Sequence, residues 1–172
     1  MSNAEMRSVE VPRIRVLMVC LGNICRSPTA EAVFRQQVLA AGLRQVIQVD
    51  SAGTSDWHVG EPPDPRSMQA AAERLYDLSP LRARQVLARD FEDFDYILAM
   101  DQQNLADLEE RCPVAYQGKL GLFLDYGNTG WIEVPDPYNT GREGFDLVLD
   151  LVESACTDFI EFLQAKHDLP DA

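Results

Sequence analysis

Ten residues near the N-terminus carry the most specific chemical signal in the chain: Val19-Cys20-Leu21-Gly22-Asn23-Ile24-Cys25-Arg26-Ser27-Pro28. A thiol is followed six positions later by a guanidinium, and that pair can hold and attack a phosphoryl group. A loop wrapping into a helix N-terminus points successive backbone N–H groups inward and makes a concave anion site. Gly22 permits backbone angles that a side chain forbids, and Asn23 tolerates the left-handed conformation. Arg26 offers a planar fork for two phosphoryl oxygens. The same positive potential would activate the Cys20 sulfur without a partner histidine. Leu21, Gly22, Asn23, Ile24, Cys25 and Ser27 are the expected contacts of the bound phosphate. Ser27 can donate to the sulfur, or it can serve as N-cap of a helix whose first residue is Pro28. Against this stands the simpler role of cysteine as a small buried hydrophobe. That role suits Cys156, on an apolar helix stripe, and Cys112, beside Pro113, is expected to be inert.

Expelling an alcohol or phenol from phosphorus is faster when the leaving oxygen is protonated, which needs a carboxylic acid outside the cradle. The best candidate is Asp136, in Glu133-Val134-Pro135-Asp136-Pro137-Tyr138. Prolines on both sides restrict its backbone. The same pattern also describes an ordinary turn residue, and the local sequence does not choose between them. Trp57 and Tyr138 sit in segments read as loops. They could wall a cleft deep enough for phosphotyrosine, or they could cover edges of the core.

These residues need a scaffold, and the chain alternates short apolar strands with amphipathic helices. Arg13–Val19, Val46–Val49, Phe94–Met100 and Lys119–Leu124 read as strands. Pro28–Ala41, with Gly42 as its stop, and Met68–Tyr76 read as helices. Asp101 can cap the helix carrying Leu105 and Leu108. In the last helix Phe145, Val148, Leu149, Val152, Cys156, Phe159, Ile160 and Leu163 form one stripe, with Asp146, Asp150, Glu153 and Glu161 mostly opposite. Such alternation implies crossover connections and a parallel sheet covered on both faces. Ligands of such sheets sit beyond the carboxyl ends of the strands, and the first such turn is Cys20–Ser27. The Pro-rich run Glu61–Pro65 reads as a stiff surface loop.

Length and composition bound the rest. A chain of 172 residues fits one domain. A net charge of −13 repels both nucleic acid and anionic membrane, so neither is an expected partner. The first apolar run, Ile14–Leu21, is too short to span a bilayer. Ser2-Asn3-Ala4 resembles a tag remnant, so residues 1–12 are set apart as tag-derived or disordered, and residues 13–168 as the domain. With a large core and no export signal, four cysteines are expected as reduced thiols in a cytoplasmic protein. Two histidines far from any cysteine pair leave no expected metal site.

From Val19 to Ala32 the sequence resembles the phosphate-binding loop of the low-molecular-weight protein tyrosine phosphatases. Val49–Thr54, Ala83-Arg84-Gln85, Phe94–Leu98 and Asp136-Pro137-Tyr138 match in the same order, so the resemblance covers about residues 14–165. It implies an α/β fold, a single three-layer domain with a four-stranded parallel sheet and helices on both faces. It implies hydrolysis of phosphotyrosine through a cysteinyl-phosphate on Cys20, with Arg26 clamping the transition state. Asp136 would act first as acid, then as base. Asn23 and Ser51 would brace the loop, and Trp57 and Tyr138 would line the cleft. No metal or organic cofactor is implied. The partners implied are tyrosine-phosphorylated proteins, a tyrosine kinase being one candidate, with inorganic phosphate as product. Cys25 would be the thiol that can form a reversible disulfide with Cys20. Asn139 stands where many relatives carry a second tyrosine, and Leu81 where some carry a bracing histidine.

Three other readings use the same loop. Arsenate reduction needs two further thiols relayed to Cys20, but Cys112 and Cys156 are 44 positions apart and Asp136 would be idle. Phosphoarginine phosphatases tend to carry threonine where this chain has Ile24. A non-catalytic phosphate or redox sensor would have no use for Asp136.

Overall fold

Ile14–Cys20 forms strand β1, in which only Arg15 is not buried. A strand apolar on both faces belongs in the middle of a parallel sheet, and that is where β1 lies. The computed structural model describes residues 14–170. The expectations for residues 1–12, and the start of the first strand at Arg13, fall outside that range. β1 is flanked by β2 (Ile47–Gly53) and β3 (Tyr96–Ala99), and β4 (Leu120–Leu122) pairs with β3. All neighbours are parallel, in the order β2-β1-β3-β4. Cys20 is level with Gly53, and Val19 with Ala99. The carboxyl ends of the three strands therefore open onto one edge.

Among the described residues five α-helices pack around the sheet: α1 (Arg26–Ala40), α2 (Pro65–Ala72), the short α3 (Asp90–Asp93), α4 (Gln102–Arg111) and α5 (Arg142–Lys166). Val114–Lys119 and Phe123–Tyr126 are 3-10 turns. Side chains alternate across β1 and divide the interior in two. Ile14, Val16 and Met18 join Phe34 of α1 and Phe159 of α5 in the larger core. Leu17 and Val19 face Ile97, Phe91 and Leu108 in the smaller one. The molecule has the three layers its alternating sequence predicts.

Differences from the sequence reading lie at element ends. β2 runs on to Gly53, past its expected limit of Val49. α2 starts at Pro65, before the expected Met68, because Asp64 caps it, accepting from the Arg66 N–H at 2.8 Å, and Pro65 takes a first-turn site. The strand expected over residues 119–124 shrinks to Leu120–Leu122, since Phe123 and Leu124 turn into a 3-10 helix. The start of α1 also differs. Cys25 is its N-cap residue with no side-chain cap, and Arg26 rather than Pro28 opens the helix. Ser27 is not the cap, because its hydroxyl is engaged elsewhere.

Gly53 is required by a contact the sequence does not display. A Cβ there would lie 2.6 Å from the Leu21 carbonyl oxygen and 3.2 Å from the Gly22 carbonyl carbon. Both are backbone atoms that cannot turn aside. Gly53→Ala is expected to cost about 1–3 kcal/mol by urea unfolding and to speed amide exchange at residues 21–23. An unchanged midpoint with unchanged exchange would show that the loop has room to spare.

Candidate active site

β1 delivers Cys20 to the carboxyl edge of the sheet, 3% exposed, and residues 21–25 carry the chain round to α1. The loop's carbonyls are engaged by groups around it. Thr54 N–H donates to the Cys20 carbonyl at 2.9 Å, Ser55 N–H to Leu21 at 3.0 Å and Asp64 N–H to Ile24 at 2.8 Å. The Thr29 hydroxyl donates to the Cys25 carbonyl at 2.7 Å. These bonds turn the Cys20, Leu21, Ile24 and Cys25 carbonyls to surrounding groups, a polarity that suits an anion at the loop's amides. Asn23 takes a positive φ of 58°, the left-handed geometry open to asparagine. Its N–H donates to the Cys20 sulfur at 3.3 Å.

Behind the sulfur lies a buried relay. The Asn23 Nδ2 donates to Ser27 Oγ at 2.7 Å and to Ser51 Oγ at 2.9 Å, and Ser51 Oγ donates to Glu31 Oε1 at 2.6 Å. Arg84 N–H donates to Asn23 Oδ1 at 3.0 Å, which fixes the orientation of the amide. An amide nitrogen can only donate, so Ser27 accepts from it and keeps its own proton for the sulfur, 3.0 Å away. Burial pushes the pKa of Glu31 up, opposed by the Ser51 hydroxyl and by Arg35. Arg84 in turn pairs with Asp50 at 3.1 Å and Asp90 at 2.9 Å, tying the relay to the opposite face of the sheet.

Arg26 is 3% exposed. Its Nη1 donates to Asp101 Oδ2 at 2.6 Å and to the Val134 carbonyl at 3.0 Å, and its Nη2 is 4.0 Å from Asp136 Oδ2. Burial works to lower its pKa, but the charge interactions with Cys20 and Asp101 outweigh that and raise it. The guanidinium is charged under all working conditions. Asp101 also caps α4 through Oδ1, which accepts from Asn104 N–H at 2.7 Å. One carboxylate thus starts a helix and aims a cation.

Opposite the loop, Val134 is held by its N–H to the Met100 carbonyl at 2.8 Å. The segment then brings Asp136, half exposed, to the mouth of the hollow. The resulting cleft of about 300 Å³ is lined by Cys20, Leu21, Gly22, Ile24, Cys25, Arg26, Trp57, His58, Asp136 and Tyr138. Trp57 is 69% exposed and Tyr138 48% exposed, so both are walls of the mouth and not covers of the core. Asn139 is exposed beside Tyr138, and Leu81 packs against the main core.

Asn23 and Ser27 add no side chain to the cleft lining, because the hydrogen bonds of the relay hold those side chains behind the sulfur. Cys25 does line it, but burial pushes its thiol up to about 12, with Ser67 partly opposing and Asp64 adding to the rise. Sequence reasoning missed Asp101 as the partner of Arg26; a carboxylate just past the strand beside β1 was the available signal. It also missed His58, whose ring edge packs at Gly22 and whose Nδ1 is 2.6 Å from Glu61 Oε2. Only its place beside Trp57 could have suggested it.

Residues 15–169 match the family described as low molecular weight phosphotyrosine protein phosphatase. The chain is similar to the low molecular weight phosphotyrosine protein phosphatase of Schizosaccharomyces pombe, 46% identical over 81% of this chain and 91% of that one. It is 39% identical to the low molecular weight protein-tyrosine-phosphatase YfkJ of Bacillus subtilis, over 91% and 99% of the two chains. Among solved structures it resembles the protein tyrosine phosphatase of Entamoeba histolytica crystallised with Hepes in the active site. The TM-score is 0.87 at 41% identity, over 90% of this chain and 99% of that one.

The raised pKa of Cys25 has a measurable sign. Alkylation proceeds through the thiolate, so a pKa of about 12 leaves little reactive form at neutral pH. In a Cys20→Ser protein, iodoacetamide is expected to leave Cys25 unlabelled at about pH 7, with a rate rising about tenfold per pH unit up to about pH 10. Peptide mass spectrometry reads this, and fast labelling at neutral pH would contradict it.

Proposed function

The chain belongs to the low molecular weight phosphotyrosine protein phosphatase family, and from that membership we propose how its residues hydrolyse phosphotyrosine through a cysteinyl-phosphate. The phosphate seats in the hollow of residues 21–26, against the loop amides and the Arg26 fork. The Cys20 sulfur attacks phosphorus from the floor, in line with the ester oxygen. The S–P bond forms as the P–O bond breaks, and Asp136 gives its proton to the departing phenolate oxygen. Water then attacks phosphorus from the vacated side and passes a proton to Asp136. The S–P bond breaks and inorganic phosphate leaves. Ser27 donates to the sulfur as it departs. Arg26 balances charge on the equatorial oxygens throughout.

The observation that carries this reading is the convergence on one hollow of three groups from three segments. They are a buried sulfur, a guanidinium braced by Asp101 and Val134, and a half-exposed carboxylate 4.0 Å from that guanidinium. A phosphate sensor would need the first two only. Arsenate reduction is disfavoured by the resting places of the other thiols: Cys112 in the smaller core, Cys156 in the larger. Burial raises the pKa of both.

Trp57 and Tyr138 are suited to flank an aryl ring whose phosphate reaches the floor, a span that phosphoserine lacks. Tyrosine-phosphorylated proteins, a tyrosine kinase among them, are the proposed substrates. No helix among the described residues is long and apolar enough to cross a membrane. A cytoplasmic setting belongs to the same reading, because a nucleophilic thiol works in a reducing compartment. Residues 13–168 are proposed as the functional unit.

Cys20→Ser is expected to abolish turnover of an aryl phosphate while phosphate analogues still bind, and appreciable turnover would refute the nucleophile. Asp136→Ala is expected to slow phosphotyrosine hydrolysis by on the order of 10²–10⁴-fold. That defect should shrink as the leaving group becomes more acidic; a defect equal for all esters would remove the acid role. Rates on phosphotyrosine, phosphoserine, phosphoarginine and arsenate side by side are expected to favour phosphotyrosine.

A further inference from the structure

Arg66 lies outside the lining of the cleft, yet it touches the parts that build it. Asp64 grips its fork, taking Nε at 3.1 Å and Nη2 at 2.9 Å. The backbone N–H of Asp64 donates to the Ile24 carbonyl at 2.8 Å, so this pair is bolted to the phosphate loop. The guanidinium carbon is 5.3 Å from the centroid of the Tyr138 ring and 4.8 Å from that of Phe145 in α5. Both distances are within the range of cation–π contact. Tyr138 N–H donates to Asp136 Oδ1 at 3.1 Å. A continuous path thus runs from Ile24 through Asp64, Arg66 and Tyr138 to Asp136.

The path meets a need. On its N-terminal side Asp136 is anchored through Val134, held by Met100 and Arg26. On its C-terminal side the segment continues into the local turn where Thr140 N–H meets the Pro137 carbonyl. The Tyr138 ring resting on Arg66 is a contact that refers this side of the acid segment back to the loop where phosphate sits. A proton donor misplaced by about 1 Å can lose much of its effect. Arg66 itself is 46% exposed in its side chain, so its contribution lies in geometry more than in stability.

We propose that Arg66 is a positioning residue for the general acid: by stacking on Tyr138 while fixed to Asp64, it holds the Asp136 carboxyl over the leaving oxygen. This rests on the reading of Asp136 as the acid. The planar fork matters, because a lysine at this place keeps the charge but cannot both pair with Asp64 side-on and stack face-on.

The test is a comparison of kcat/KM on phenyl phosphate, para-nitrophenyl phosphate and dinitrophenyl phosphate, whose leaving groups are increasingly acidic. The proteins are the wild type, Arg66→Ala, Arg66→Lys, Asp136→Ala and the double variant Arg66→Ala/Asp136→Ala. Arg66→Ala is expected to lose about tenfold or more on phenyl phosphate and to stay within about twofold on dinitrophenyl phosphate. Arg66→Lys should lose nearly as much. In the double variant the Arg66 change should add almost nothing to the loss from Asp136→Ala. A loss by Arg66→Ala equal on all three esters, or multiplying fully with that of Asp136→Ala, overturns the positioning role. If Asp136→Ala itself shows no dependence on the leaving group, the acid reading fails and takes this one with it. Should Arg66→Ala not fold, Phe145→Leu removes one of the two stacked rings and is expected to show the same slope with a smaller loss; a uniform loss there overturns the inference equally.

Discussion

A guanidinium that is nearly inaccessible to water has to be compensated on every side, and the site is organised around meeting that demand for Arg26. Taking an unpaired charge out of water costs several kcal/mol even after relaxation. Here the compensation comes from Asp101 at 2.6 Å, the Val134 carbonyl at 3.0 Å and the sulfur on its open side. Asp101 lies two residues past the end of β3, and Val134 is hydrogen-bonded to Met100, the residue between them. Neutralising one cation therefore requires β1, β3 and the acid segment to end at one place. The proton donor is brought to the mouth of the cleft by the same backbone that satisfies the arginine.

The relay behind the sulfur has the complementary task. Asn23 in a left-handed conformation would open the loop were its amide free. Instead every hydrogen-bonding group of that amide is used, by Ser27, Ser51 and Arg84. These bonds fix the loop's curvature from within the protein, which lowers the ordering cost that phosphate binding has to meet. Arg84 extends the bracing to Asp50 and Asp90 across the sheet.

The elements were legible where periodicity is strong. The stripe of α5 and the doubly buried β1 follow from the order of apolar residues alone, and so does the turn that joins β1 to α1. Cys20, Arg26 and Asp136 could be picked out because each sits in a locally unusual context: a strand running into a helix, or an aspartate between prolines. Ser27 could not be assigned from its neighbours, since its preference for capping and its bond to the sulfur draw on the same hydroxyl; tertiary contacts with Asn23 decided it. Asp101 was visible only as a cap, because its second oxygen meets Arg26 across 75 positions of chain. Gly53 and His58 were invisible, since what constrains them is another segment's approach.

The cleft is made from two kinds of material. Its floor consists of main-chain amides and buried groups, each with several partners, whereas its mouth carries Trp57, which projects into solvent. A substitution at Trp57 disturbs few other contacts, while one on the floor, or at Tyr138 with its contact to Arg66, propagates through the bracing of the site. Duplicated copies of such a gene could therefore acquire new clients by exchanging an outer side chain of this kind, inheriting an intact chemical engine each time.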